Sequence, residues 1–135
     1  MTRVVVPVRY PLTEHSRRTL SEALRVAEER DADLTVFHVN LYHNGGKVTR
    51  VDLKRAVESE FGLLTRARYV VRDGFLVEET ILDEIVSEEA DVVVIGQKQL
   101  GRWRRMVRKV INDPDIESYL NEKLDCEVIT ASITN

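Results

Sequence analysis

Apolar residues along this chain fall into two alternating kinds of run. Val4-Val5-Val6-Pro7-Val8 is an almost unbroken β-branched block without polar alternation, the pattern of a strand buried on both faces. Pro7 has no N–H for a sheet ladder, which places it near the end of that strand. Thr13 then stands as an N-cap. Leu20, Ala23, Leu24 and Ala27 follow at helical spacing, while Glu22, Arg25, Glu28, Glu29 and Arg30 lie mostly outside their stripe. Leu34 to Val39 predicts a second strand, and Asn44-Gly45-Gly46 carries chain-reversal chemistry. Thr49 caps a second helix with Leu53, Ala56 and Val57 inward, and Arg68 to Val71 predicts a short strand closed by Asp73-Gly74. A helix from Val77 to Glu89 is expected to bury Ile81, Leu82, Ile85 and Val86, ahead of a buried strand from Asp91 to Gly96. A helix around Asp115 to Leu124, with Ile116, Tyr119, Leu120 and Leu124 inward, precedes a last strand from Cys126 to Thr130.

Strands alternating with helices of this length require right-handed crossovers. The expected fold class is α/β: a three-layer, doubly wound, five-stranded parallel sheet in one domain over residues 1–135. The composition agrees, with 43% hydrophobic and 32% charged residues in 135. A net charge of -3 argues against wholesale attraction to nucleic acid or to an anionic membrane. The single cysteine, Cys126, cannot close an internal disulfide, and no apolar stretch reaches spanning length; the expected location is cytoplasmic, with no membrane partner.

The local sequences resemble the universal stress protein family. Val5-Val6-Val8 around Pro7 is similar to its first strand, and Leu34 to Val39, ending His38-Val39, to its second. Gly74, then Glu78-Glu79-Thr80-Ile81, then Glu88 to Gly96 resembles its central helix–strand unit, and Cys126-Glu127-Val128-Ile129 its closing strand. The resemblance implies a strand order of 3-2-1-4-5, the fold of the adenine-nucleotide alpha-hydrolase and universal stress protein type. It also implies a homodimer paired through the last strand, by Val128, Thr130, Ser132 and Ile133.

Nucleotide-binding members of that family carry a loop of Gly, two residues, Gly, nine residues, Gly, then Ser or Thr. This chain keeps Gly96 and then departs from it. Gln99 stands where the second glycine is expected, Gly101 comes two residues late, and Pro114-Asp115 takes the place of the final pair. Pro114 has no N–H to donate, and Asp115 sets negative charge where a phosphate would sit. Arg9-Tyr10-Pro11 likewise replaces the usual Asp-Gly-Ser. ATP in the family's usual pose is therefore not expected, and no cofactor or metal is expected.

A pocket is still expected where the first and fourth strands end, from Pro7, Val8, Arg9, Val39, Gly96, Gln97, Lys98 and Arg102. Its cations would suit a phosphate, a nucleotide in another pose or an acidic peptide; the alternative is that Arg9 and Lys98 are solvated or paired with Asp115 and its neighbours. From Arg102 to Ile111, Trp103, Met106, Val107, Val110 and Ile111 share one helical sector, while Arg102, Arg104, Arg105, Arg108 and Lys109 fill the opposite one. That basic face is a solvated surface, a contact for RNA or DNA, or a docking face for an unknown protein. No constellation of catalytic residues is present: His15, His38 and His43 are dispersed, and Ser16 and Ser21 lack a nucleophile turn. The leading reading is a regulatory or interaction protein of the universal stress type with no catalytic role beyond, at most, weak nucleotide hydrolysis. The alternatives are a nucleotide binder using Arg9, Lys98 and Arg102, and a polyanion-binding module.

Overall fold

The computed structural model describes residues 2–42, 47–110 and 126–131. Its elements run β1 (Arg3–Pro7), α1 (Glu14–Glu29), β2 (Asp33–Leu41), α2 (Arg50–Phe61), β3 (Ala67–Gly74), α3 (Val77–Ser87), β4 (Val92–Gly96), α4 (Gln97–Val110) and β5 (Glu127–Ala131). The five strands are all parallel, in the order β3-β2-β1-β4-β5. The turn expected at 44–46 and the helix expected at 115–124 lie outside the described residues.

The unbroken apolar runs of β1 and β4 follow from two-sided burial. Val4, Val6, Val92 and Val94 face one layer, where Leu20, Ala23, Val26, Leu53 and Val57 of α1 and α2 cover them. Val5, Val93 and Ile95 face the other, against Ile81 and Ile85 of α3 and Leu100 and Trp103 of α4. Successive side chains of a strand point to opposite faces, so each valine run supplies both cores. Cys126 is fully buried in the second of them. Trp103 is fully buried too, and its indole N–H donates to the Glu78 carbonyl at 3.2 Å, fastening α4 to α3.

Both predicted N-caps form. Thr13 accepts from the Ser16 N–H, and Thr49 and Asp52 make a reciprocal capping box. Two expectations need correction. The helix expected from Arg102 starts at Gln97 instead, immediately after Gly96, so no loop separates strand from helix. And Val86 is 56% exposed; the inward stripe of α3 contains Glu84 instead, only 3% exposed.

Glu84 turns inward because β3 sends arginines to that face. Arg72 Nε donates to Glu84 Oε1 at 3.0 Å, Arg68 pairs with Glu88, and Arg3 reaches Glu88 Oε2 at 3.5 Å. Burial raises the Glu84 pKa; Arg72 works against that shift and neighbouring Glu88 adds to it. A carboxyl that holds its proton more tightly folded than unfolded makes the protein less stable as pH rises from the unfolded value, about 4.3, through the folded one. Glu84→Gln removes that titration. Whatever constant offset the lost charge pair with Arg72 adds, the variant should gain on the wild type between pH 4.5 and 7 in urea denaturation. A relative loss over that interval would contradict the assignment.

Candidate functional site

β1 and β4 pair through Val4↔Val92 and Val5↔Val93, and above these positions a crevice of about 490 Å³ opens at the carboxyl ends of the strands. This is the switch point of a doubly wound sheet, since the chain leaves β1 toward β2 on one side while β4 lies on the other. Of the residues expected there, Pro7, Val8, Arg9, Val39, Gly96, Lys98 and Arg102 line it. Gln97 does not: it lines a small adjoining recess with His15, Arg18 and Lys98.

Each wall has a local cause. Thr13 Oγ1 donates to Ser16 Oγ at 3.1 Å, and the Arg9 N–H donates to the same oxygen at 3.1 Å, so the first turn of α1 holds the chain beyond β1. The Tyr10–Pro11 peptide is cis, and Tyr10 meets His38 edge-on with ring centroids 6.3 Å apart. His38 Nδ1 lies 3.0 Å from the Val8 carbonyl, which can only accept, so that nitrogen carries the proton. Burial lowers the His38 pKa despite this hydrogen bond, which keeps the ring neutral at pH 7. A Cβ on Gly96 would come 3.3 Å from Thr19 Oγ1, so a side chain there would need Thr19 to give by a few tenths of an ångström.

Phe37, Val39, Leu41, Val77 and Ile81 supply apolar lining, while Arg9, Lys98 and Arg102 supply charge. Lys98 and Arg102 are four residues apart on α4 and so share a helix face. No ion pair forms at any of the three cations among the described residues, although Arg3, Arg17, Arg18, Arg25, Arg30, Arg66, Arg68 and Arg72 are all paired. Asp115, their expected alternative partner, lies outside the described residues. No aspartate or glutamate lines the crevice among the described residues.

Sequence reasoning missed His15, Ser16 and Thr19, which α1 turns toward the crevice, and His38 and Asn40, alternate residues on one face of β2. The signal was available in part: position 38 is two residues before 40, and 15 is four before 19. Of the basic face, Arg102 lines the crevice and Arg105 is exposed, whereas the side chains of Arg104, Arg108 and Lys109 lie outside the described residues. Val128 and Thr130 are half-buried on β5, an edge of the sheet; Ser132 and Ile133 lie outside the described residues. No helix among the described residues is long and apolar enough to cross a membrane.

The model of the universal stress protein family matches residues 1–113, from the first strand through the whole of α4. The chain belongs to the universal stress protein family. Solved structures repeat the fold at low identity. A universal stress protein from Lactobacillus plantarum, UspA, is 17% identical with a TM-score of 0.63, covering 97% of each chain. One from Archaeoglobus fulgidus in complex with dAMP is 19% identical with a TM-score of 0.55, covering 98% of each. A universal stress protein in complex with cAMP is 12% identical with a TM-score of 0.58, covering 96% of this chain and 97% of that one. No curated protein matches the chain in sequence.

One crevice wall depends on a single side chain. Asn40 Nδ2 donates to the Val48 carbonyl at 2.8 Å, and the Val48 N–H donates to Asn40 Oδ1 at 3.1 Å, clasping the end of β2 to the approach to α2. Asn40→Ala leaves both backbone groups to partial solvation and should destabilise by about 1–2 kcal/mol in urea denaturation. An unchanged midpoint would show that the clasp contributes nothing.

Proposed function

We propose that this universal stress protein is a ligand-responsive regulator whose crevice binds a small organic anion of the mononucleotide class. The observation that carries this reading is the pairing of an apolar floor with three cations that have no carboxylate partner among the described residues. A cation left unpaired beside a concave apolar surface is complementary to a ligand with a flat apolar body and a charged end. The volume of about 490 Å³ falls within the usual range for small-ligand sites, about 300–1,000 Å³. The complexes of two fold relatives with cAMP and dAMP add support for an adenine nucleotide as the body. ATP cradled by a glycine-rich loop is not part of the proposal, because α4 begins where that loop would run. Ser16 is engaged by Thr13 and Arg9, and His38 by Val8, which favours binding over catalysis.

Thermal melting with AMP and with adenosine tests it. At a hundredfold excess over its dissociation constant AMP should stabilise by about 2.7 kcal/mol, a rise on the order of 10 °C. Adenosine should do far less, and Arg9→Ala/Lys98→Ala/Arg102→Ala should abolish the AMP shift while melting normally without ligand. Equal shifts for AMP and adenosine, or none for AMP, would remove the reading.

The regulatory unit we propose is a homodimer joined through β5. The Glu127 N–H donates to the Asp91 carbonyl, so alternate residues 127, 129 and 131 turn their donors toward β4, and Val128 and Thr130 turn theirs outward. Light scattering at micromolar concentration should give twice the 15.5 kDa chain mass. Thr130→Pro, which deletes an outward donor and spares the ladder to β4, should give the monomer. A monomeric wild type would rule the interface out.

A further inference from the structure

We infer that the crevice takes its anion without a divalent cation, and so selects free phosphate esters over magnesium-bound polyphosphates. This rests on the proposed binding of a mononucleotide and names how that site chooses among nucleotides. Proteins usually hold a nucleotide's magnesium through one or two carboxylates alongside the phosphates, at short, near-octahedral oxygen distances. Among its described residues this crevice offers no carboxylate, and no group of three His, Cys, Asp or Glu side chains among the described residues is placed to hold a metal.

Two of the neutral side-chain oxygens that could substitute already accept hydrogen bonds, and a third belongs to a hydroxyl turned toward a backbone carbonyl. Asn40 Oδ1 accepts from Val48, Ser16 Oγ accepts from both Arg9 and Thr13, and Thr19 Oγ1 donates to the His15 carbonyl at 2.8 Å. The charged and unpartnered side-chain groups that face the ligand are cations and a donor. Arg9, Lys98 and Arg102 carry charge, and Gln99 Nε2 is a buried donor with no hydrogen-bond partner. The first turn of α4 contains no acidic residue, and its leading amides have no partner within the helix. Every one of these groups attracts a phosphate and repels a metal ion. A dianionic phosphate ester therefore meets complementary charge directly, whereas a magnesium complex presents a dication to three cations and, among the described residues, to no carboxylate.

Calorimetric titration of AMP and ADP, each in EDTA and in saturating magnesium, tests the inference. Magnesium should change the AMP dissociation constant less than about twofold and weaken ADP at least fivefold. Gln99→Glu supplies the missing carboxylate: it should weaken AMP about tenfold in EDTA, with part of the loss recovered in magnesium. Tighter binding of either nucleotide to the wild type in magnesium would overturn metal-free selection while leaving nucleotide binding intact. If AMP fails to bind in both buffers, the proposal of a mononucleotide site falls and takes this inference with it.

Discussion

Pro7 is the constraint on which the crevice depends. The Val8 N–H donates to the Phe37 carbonyl on β2, so the backbone nitrogen one residue earlier faces β4 instead. That nitrogen belongs to Pro7 and carries no hydrogen. β1 can therefore continue its register with β2 as far as Pro7↔Phe37, while its pairing with β4 stops at Val5↔Val93. One missing donor parts two central strands on one side only. The gap opens above two faces of buried valine, where backbone left unpaired must be met by side chains, by water or by a ligand.

What fills the edge of that gap is a helix where nucleotide-binding relatives of the family would run a glycine-rich loop. A loop approaches phosphates with its backbone, and for that it needs glycines and freedom of φ. A helix cannot curl around a ligand, but it presents its first amides and whatever side chains lie one turn apart. Here those are Lys98 and Arg102, held in place because Trp103 is buried against α3 on the other side of the same helix. On the proposed reading, helix and loop would meet a phosphate in different ways. The loop encloses a chain of phosphates, while the helix end and its two cations offer one compact positive site.

The strands were legible because two-sided burial writes continuous apolar runs, as at 4–8 and 92–96, whereas their order followed from the resemblance to the family and not from any run. The caps at Thr13 and Thr49 were legible because their chemistry is local. The face of α3 was legible in part: Ile81 and Ile85 are buried and Leu82 packs against the same core as expected, but Val86 is exposed. Hydrophobic periodicity favours Val86, yet the helix lies over the outer part of the sheet, where β3 presents Arg68 and Arg72 between its apolar positions. Acids at 84 and 88, four residues apart, match arginines at 72 and 68, and a pattern that scores only hydrophobicity cannot see a stripe of complementary charge. The site was half legible for a similar reason. Residues at strand ends follow from topology, whereas His15, Ser16 and Thr19 enter through the packing of α1 beside the ends of β1 and β4, a placement that no single segment encodes.

The basic stretch of α4 looks, in sequence, like one uniform face of five cations. In the structure it is divided. Arg102 lines the crevice, Arg105 is exposed, and the tryptophan between Arg102 and Arg104 is the anchor of the helix. A polyanion laid along such a helix would draw its contacts from the cations beyond Arg102, while the crevice competes for Arg102 itself. Occupation of the crevice by a phosphate would neutralise the end of the stripe nearest the sheet. If the proposed ligand binds, occupancy of the crevice and the electrostatics of the surface would be coupled through Arg102, which stands at the junction between the pocket and the outer face of α4.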